Sequence, residues 1–244
     1  MGEKGKHTPY YELLEALESG CCALCYLGEQ AARRYLQSLL YEGVTDVGVR
    51  QHVRAAKGFC RRHAWQARAE GGALGIAIMY RDVVADVLAA LESACYEAVP
   101  VRRRLREWAD RSLPTAATRG VVQALEGKEQ CPVCAAQQRA EAMYCELLLE
   151  HIGDEAIARA LQRGRGLCLS HLRQVLARVR TEEAFEAIVL AARSSFRRLL
   201  GELEEMIRRH DHRFIQELGP YGDAWLKALA QVSGERAGSE SSLG

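Results

Sequence analysis

A chain of 244 residues with 33 basic and 32 acidic side chains has a formal net charge of +1, which gives it no global attraction to a polyanion. Hydrophobic residues make up 48% and aromatics 7%, with only five prolines, a composition that suits an aliphatic helical core in one large or two modest domains. No window approaches the roughly 18 continuous apolar residues of a membrane span, and residues 1–20 contain no apolar signal core. The expectation is a cytoplasmic protein without a membrane partner, where paired cysteines read as metal ligands or redox thiols rather than disulfides.

The first element is an amphipathic stretch over 11–20. It leads into Cys22-Ala-Leu-Cys25 and then a long helical run, in which Leu24, Leu27, Ala31, Tyr35, Leu39 and Leu40 keep the helical period. A shorter helix is predicted near 46–57. Gly58-Phe-Cys60 then introduces Cys60-Arg-Arg-His63, and an amphipathic helix carrying Tyr80, Val84, Val87, Leu88, Leu91 and Cys95 closes this half. A connector over 100–114 reads as a short basic helix at 101–112.

The same order then recurs. Residues 121–127 precede Cys131-Pro-Val-Cys134, and Val133, Ala136, Ala140, Met143, Tyr144, Leu147 and Leu148 mark the next long helix. A short helix near 154–164 leads to Gly166-Leu-Cys168 and Cys168-Leu-Ser-His171. Ile188, Val189, Ala192, Phe196, Leu199, Leu200 and Leu203 mark the closing helix. Gly58 and Gly166 suit helix C-caps, because glycine accepts the left-handed conformation. The pattern divides the chain into a helical repeat at 8–98, a basic connector at 99–114, a second repeat at 115–209, a helical tail at 210–232 and a disordered end at 233–244. The fold class is all-α: two duplicated helical-bundle units with pseudo-two-fold symmetry, each holding a Cys₃His metal site.

The doubled motif carries the chemistry. Residues i and i+3 of a helix share a face, with Cβ atoms about 5–6 Å apart, so each CxxC or CxxH can offer two donors to one ion. Thirty-four residues separate Cys25 from Cys60, and thirty-three separate Cys134 from Cys168. A helical hairpin that leaves and returns would join Cys22, Cys25, Cys60 and His63 as site 1, and Cys131, Cys134, Cys168 and His171 as site 2. Three thiolates and one imidazole complete a tetrahedral zinc shell with no open position, so two structural zinc ions per chain are expected. Basic neighbours for the anionic shells are Lys57, Arg61, Arg62, Arg163, Arg165 and Arg173. Iron–sulfur clusters are the alternative cofactor, although compact ferredoxin spacings are absent.

Other residues have simpler readings. Cys21, Cys95 and Cys145 read as small core residues, Trp65 as packing around a metal site, and Trp108 and Trp225 as partly buried anchors. Tyr80-Arg81-Asp82 is either an ion pair satisfied within the bundle or the lining of a polar pocket. His210 and His212 face different ways on a helix and read as a solvated end, and His151 beside Glu150 lacks a facing acidic pair. Arg102, Arg103, Arg104, Arg106, Arg208, Arg209 and Arg213 alternate with acidic residues, as solvated helix faces do. No phosphate loop, nucleophile elbow or zinc-protease helix occurs, so no catalytic residue is assigned.

The phrases Gly58-Phe-Cys-Arg-Arg-His-Ala-Trp65, Gly75-Ile-Ala-Ile-Met-Tyr-Arg-Asp82 and Arg209-His-Asp-His-Arg-Phe214, with the doubled CxxC, resemble an uncharacterised bacterial family known only as a domain of unknown function. The resemblance covers about residues 10–235, with all eight Cys/His positions intact. It implies a helical, cytoplasmic, metal-binding protein and brings no activity with it. The leading functional expectation is a non-catalytic zinc-stabilised module that binds a partner protein or small ligand. The alternatives are a redox or electron-transfer protein and a nucleic-acid-binding regulator.

Overall fold

A computed structural model describes residues 7–95, 118–209 and 219–235. These form eleven α-helices and two single 3₁₀ turns, with no strand among the described residues. In chain order the helices are α1 (Thr8–Glu18), α2 (Ala23–Tyr41), α3 (Val47–Ala55), α4 (Arg61–Glu70), α5 (Ala73–Glu92), α6 (Arg119–Leu125), α7 (Pro132–Glu150), α8 (Glu155–Arg163), α9 (Leu169–Leu176), α10 (Glu182–Arg209) and α11 (Ala224–Ser233). None is long and apolar enough to cross a membrane.

Local chemistry sets the helix ends. Asp46 and Asp154 cap α3 and α8, accepting hydrogen bonds from Val49 N at 2.8 Å and Ala156 N at 2.9 Å. Pro132 opens α7, where its missing N–H is not needed. Helix lengths recur as the sequence pattern does: α2 and α7 both have 19 residues, and α3 and α8 both have nine.

The helices form two compact units, one made of Met1–Ala31 with Gln137–Gly244 and the other of Ala32–Ala136. These units are not the expected repeats at 8–98 and 115–209. The chain passes from the first unit to the second inside α2 and returns inside α7. Each long helix supplies side chains to two separate cores. Leu24 and Leu27 of α2 join the first, while Ala32, Leu36, Leu39 and Leu40 join the second. Val133 at the start of α7 belongs to the second core; Tyr144, Cys145 and Leu148 further along belong to the first. Helical periodicity identifies an apolar face but not the partner that covers each end of it.

In the unit containing both termini, α1 packs on α8, and α11 packs on α9 and α10. Residues Leu13, Leu24, Leu148, Ile157 and Ile188 are fully buried there, each contributing on the order of 1.5–3 kcal/mol of transfer free energy. Helix α11, expected as part of a tail, belongs to this core, because Ala224 and Gln231 are buried. In the other unit α3 and α6 pack on α5 around Leu36, Val53, Met79 and Val133. The expected connector helix at 101–112, Trp108, the Arg102–Arg106 patch, and the His210, His212 and Arg213 motif lie outside the described residues, as does 236–244.

Candidate metal centres

All four motifs open a helix. Cys60 and Cys168 are the N-caps of α4 and α9, with extended backbones at φ/ψ of −63/162° and −68/162°. Cys22 and Cys131 directly precede α2 and α7. The second member of each pair, Cys25, His63, Cys134 or His171, therefore lies in the first turn on the same face. First-turn N–H groups have no intrahelical acceptor and turn toward the capping sulfur. The backbone amides of His63 and Arg62 help lower the Cys60 thiol, and that of His171 helps lower the Cys168 thiol.

The pairs meet in an order that overturns the expected grouping. Cys22 and Cys25 converge with Cys168 and His171, in the unit that contains both termini. Cys60 and His63 converge with Cys131 and Cys134, in the other unit. Each CxxC thus joins the CxxH of the opposite sequence half, rather than Cys60/His63 joining Cys22/Cys25 or Cys168/His171 joining Cys131/Cys134. The helices of each half differ in length. The 19 residues of α2 carry the chain about 28 Å, while the nine of α3 can return it only about 14 Å. By itself α3 does not return Cys60 to the start of α2. The same lengths recur in α7 and α8.

The donor atoms of each group lie within 4.8 Å of one another, and all the cysteines are free thiols. In the first centre His171 Nδ1 is 3.5 Å from Cys22 Sγ, 3.3 Å from Cys25 Sγ and 3.3 Å from Cys168 Sγ; Cys25 and Cys168 are 3.7 Å apart. In the second, His63 Nδ1 is 3.3 Å from Cys60, 3.2 Å from Cys134 and 3.7 Å from Cys131, and Cys60 and Cys134 are 3.6 Å apart. A tetrahedron with metal–sulfur bonds near 2.3 Å and metal–nitrogen bonds near 2.0–2.1 Å has edges of about 3.8 Å between sulfurs and about 3.5 Å from sulfur to nitrogen. Both groups match those edges, so each can hold one metal ion.

Packed this closely, the donors share protons unequally. Hydrogen bonds from Cys22 and Cys25 hold the Cys168 thiol far below its usual range, while its hydrogen bond with Cys168 pushes Cys25 up. Burial pushes Cys134 up to about 12, helped by its hydrogen bond with Cys60. Burial works against ionisation at Cys60 too, but the His63 amide and the neighbouring thiols outweigh it and lower that thiol. His171 is raised to about 12: burial opposes its charge, and Cys168, Cys22 and Glu141 more than offset it. A metal ion binding here displaces protons, which ties its affinity to pH.

Supporting residues come from distant helices, and spacing alone did not reveal them. Gln231 of α11 is buried, with its Nε2 3.0 Å from Arg165 O and 3.1 Å from Leu167 O, holding the turn before Cys168. Ser195 of α10 also donates to Arg165 O. In the other unit, Phe59 N donates to Tyr80 Oη at 3.2 Å and pins the turn before Cys60. Gly58 and Gly166 adopt φ of +95° and +74°; a Cβ at Gly58 would meet the Tyr80 ring at 3.3 Å, and one at Gly166 the Ser195 side chain at 3.2 Å. Arg165 reaches Glu235 at 3.2 Å, and Glu235 in turn lies 3.4 Å from Cys22 N.

Several expectations change. Trp65 is 62% exposed, with Arg68 stacked over its ring, so it does not pack around a centre. Cys145 is buried in the core as expected, but Cys21 is half-buried and Cys95 exposed. Asp82 pairs with Arg81 at 2.9 Å and with Arg50 at 3.0 Å on the outside of α3 and α5, while Tyr80 turns inward to Phe59. His151 packs edge-on against Tyr10, which accounts for its burial. Trp225 is half exposed. Arg208 and Arg209 both bind Glu205, so the described part of that basic patch is matched by acid.

Fold and site define an all-helical protein with two Cys₃His groups that can each hold a metal ion. The chain belongs to the Family of unknown function (DUF6062), whose model matches residues 6–236. It is similar to an uncharacterized 23.9 kDa protein in the xynA 3' region of Caldicellulosiruptor sp. (strain Rt8B.4), with 23% identity over 226 residues, covering 91% of this chain and 99% of that relative. No solved structure matches the chain.

Proposed function

We propose that both groups are mononuclear zinc centres and that the protein is a non-catalytic, zinc-stabilised helical module that binds a partner protein or small ligand. The observation that carries this reading is the match of donor separations in both groups to the edges of one tetrahedral zinc shell. A closed Cys₃His shell leaves no position for substrate or water, which favours a structural over a hydrolytic role. A cluster of several irons spreads its ligands over separate metal atoms, and the compactness of these groups speaks against it. Each centre crosslinks helix starts that are distant in sequence, and a structural zinc contributes on the order of 10 kcal/mol to folding. For binding, α5 presents Val84, Leu88 and Leu91 on one exposed face, and α11 presents Trp225, Leu229 and Val232. An open cleft of about 470 Å³ beside Arg54, Lys57, Asp86 and Lys128 offers room for a small ligand.

Elemental analysis of anaerobically purified protein, with its visible spectrum, tests the metal reading. Two zinc ions per chain, no visible band and loss of helicity on chelation are expected. Iron with sulfide and broad visible absorption would replace this reading with a redox one.

A further inference from the structure

Among the four donors of the first centre, Cys22, Cys168 and His171 are buried and Cys25 is only half-buried. Solvent reaches this centre through the Cys25 sulfur. A short segment, Gly234 and Glu235, leaves the end of α11 and lies against that sulfur. Gly234 is the C-cap of α11, its N–H bonded to Ala230 O at 3.0 Å. Its φ is +89°, a conformation that favours glycine and ends the helix. A Cβ at this position would lie 3.8 Å from Cys25 Sγ, at ordinary van der Waals distance, so the backbone itself is seated beside the thiol.

The Glu235 carboxylate anchors the segment. Its Oε1 accepts from Arg165 Nη1 at 3.2 Å and from Cys22 N at 3.4 Å. The same guanidinium nitrogen donates to Gly20 O at 3.3 Å. One carboxylate thereby ties the turn before Cys22 to the turn before Cys168, and each of those turns delivers metal ligands. The Arg165 and Glu235 side chains are 24% and 21% exposed, so the pair is screened less than a surface ion pair yet can open without disturbing a core. Gln231, one helical turn earlier, is buried against the carbonyls of Arg165 and Leu167 and holds α11 itself in place. A buried anchor therefore stands before Gly234 and a partly exposed one after it.

We propose that Gly234 and Glu235 form a strap that closes the first centre over Cys25, and that zinc leaves, or a thiol reagent enters, when the Glu235–Arg165 pair opens and the strap lifts about Gly234. This rests on the zinc reading above and adds the route of exchange to it. Cys25 is the first sulfur to come free. Glu235 is a positioning residue, acting through the turns that carry Cys22 and Cys168 and through the cover on Cys25.

The test uses the zinc-loaded full chain in excess colorimetric chelator, with iodoacetamide added at intervals and labelled peptides located by mass. Cys25 is expected to be labelled ahead of Cys22 and Cys168. Glu235→Ala removes the anchor and should speed zinc release from this centre, and labelling of Cys25, on the order of 10-fold. Glu235→Gln, which keeps an acceptor oxygen without the charge, should fall between. Gly234→Ala places a Cβ on the left-handed position and should act in the same direction through the backbone. Cys60, Cys131 and Cys134 of the other centre are the internal control, and their rates should not change. A merely stabilising role for Glu235 would instead speed labelling of Cys22, Cys25 and Cys168 together and lower the urea midpoint. That pattern, parent rates in both Glu235→Ala and Gly234→Ala, or an equal change at the other centre overturns the proposal. A preparation that takes up fewer than two zinc ions refutes the zinc reading itself; the order of labelling is still read on it and decides the strap separately.

Discussion

Crossed pairing of the motifs makes a counting prediction. Cys25→Ser removes one of four donors from a shell in which His171 lies within 3.5 Å of all three sulfurs, so the whole centre loses its ion. The loss is of the order of 10 kcal/mol, comparable with the roughly 5–15 kcal/mol that stabilises a whole domain, so the unit holding that centre should lose its cooperative fold. A second substitution at His171 touches the same ion, and Cys25→Ser/His171→Ala should still bind one zinc per chain. Cys25→Ser/Cys60→Ser touches both ions and should bind none. Costs within one centre are non-additive, whereas costs in the two centres add. The assay is zinc per chain by elemental mass spectrometry, with thiol and helix content measured on the same samples. One zinc retained in Cys25→Ser/Cys60→Ser and none in Cys25→Ser/His171→Ala would refute the crossed pairing and restore pairing within each sequence half.

Gln231→Ala leaves the buried carbonyl of Leu167 without its donor and that of Arg165 with Ser195 alone, at a cost of about 1–3 kcal/mol, and should lower the urea midpoint of the unit holding the first centre. Gly164→Ala drives a Cβ into the Leu17 carbonyl oxygen and to 2.8 Å from that of Ala160; both are backbone atoms, so about 1–3 kcal/mol is expected, and a thermal midpoint indistinguishable from the parent would contradict this packing. The Arg54 guanidinium beside Asp86 holds that carboxyl below its ordinary 3.8, so the pair's contribution is fully present above that value and is lost as pH falls through the lower, folded-state value. Asp86→Asn should therefore destabilise the protein near neutrality, with the difference from the parent vanishing in strong acid; an equal difference at every pH would count against the ion pair.

Much of the fold was legible because helix formation is local. The apolar period marked α2, α7 and α10, Gly58 and Gly166 marked the turns, and CxxC and CxxH placed paired donors on first helical turns. The same pattern pairs a 19-residue helix with a nine-residue one, lengths that leave it to the connecting segments where the chain returns. Glu141, Gln231, Ser195 and Tyr80 had no spacing signal. Each acts on a residue at least 21 positions away, and its role exists only once helices pack.

Sequence by itself determined the helices, the donor set and the pairing of donors within each turn, because i to i+3 geometry and capping depend on neighbours along the chain. Tertiary structure decided which turn meets which, how α2 and α7 are shared between two cores, and that Glu141 stands behind His171. Those outcomes depend on helix length and on the packing of distant faces, and in this protein they set Cys25 beside Cys168 and Cys60 beside Cys134.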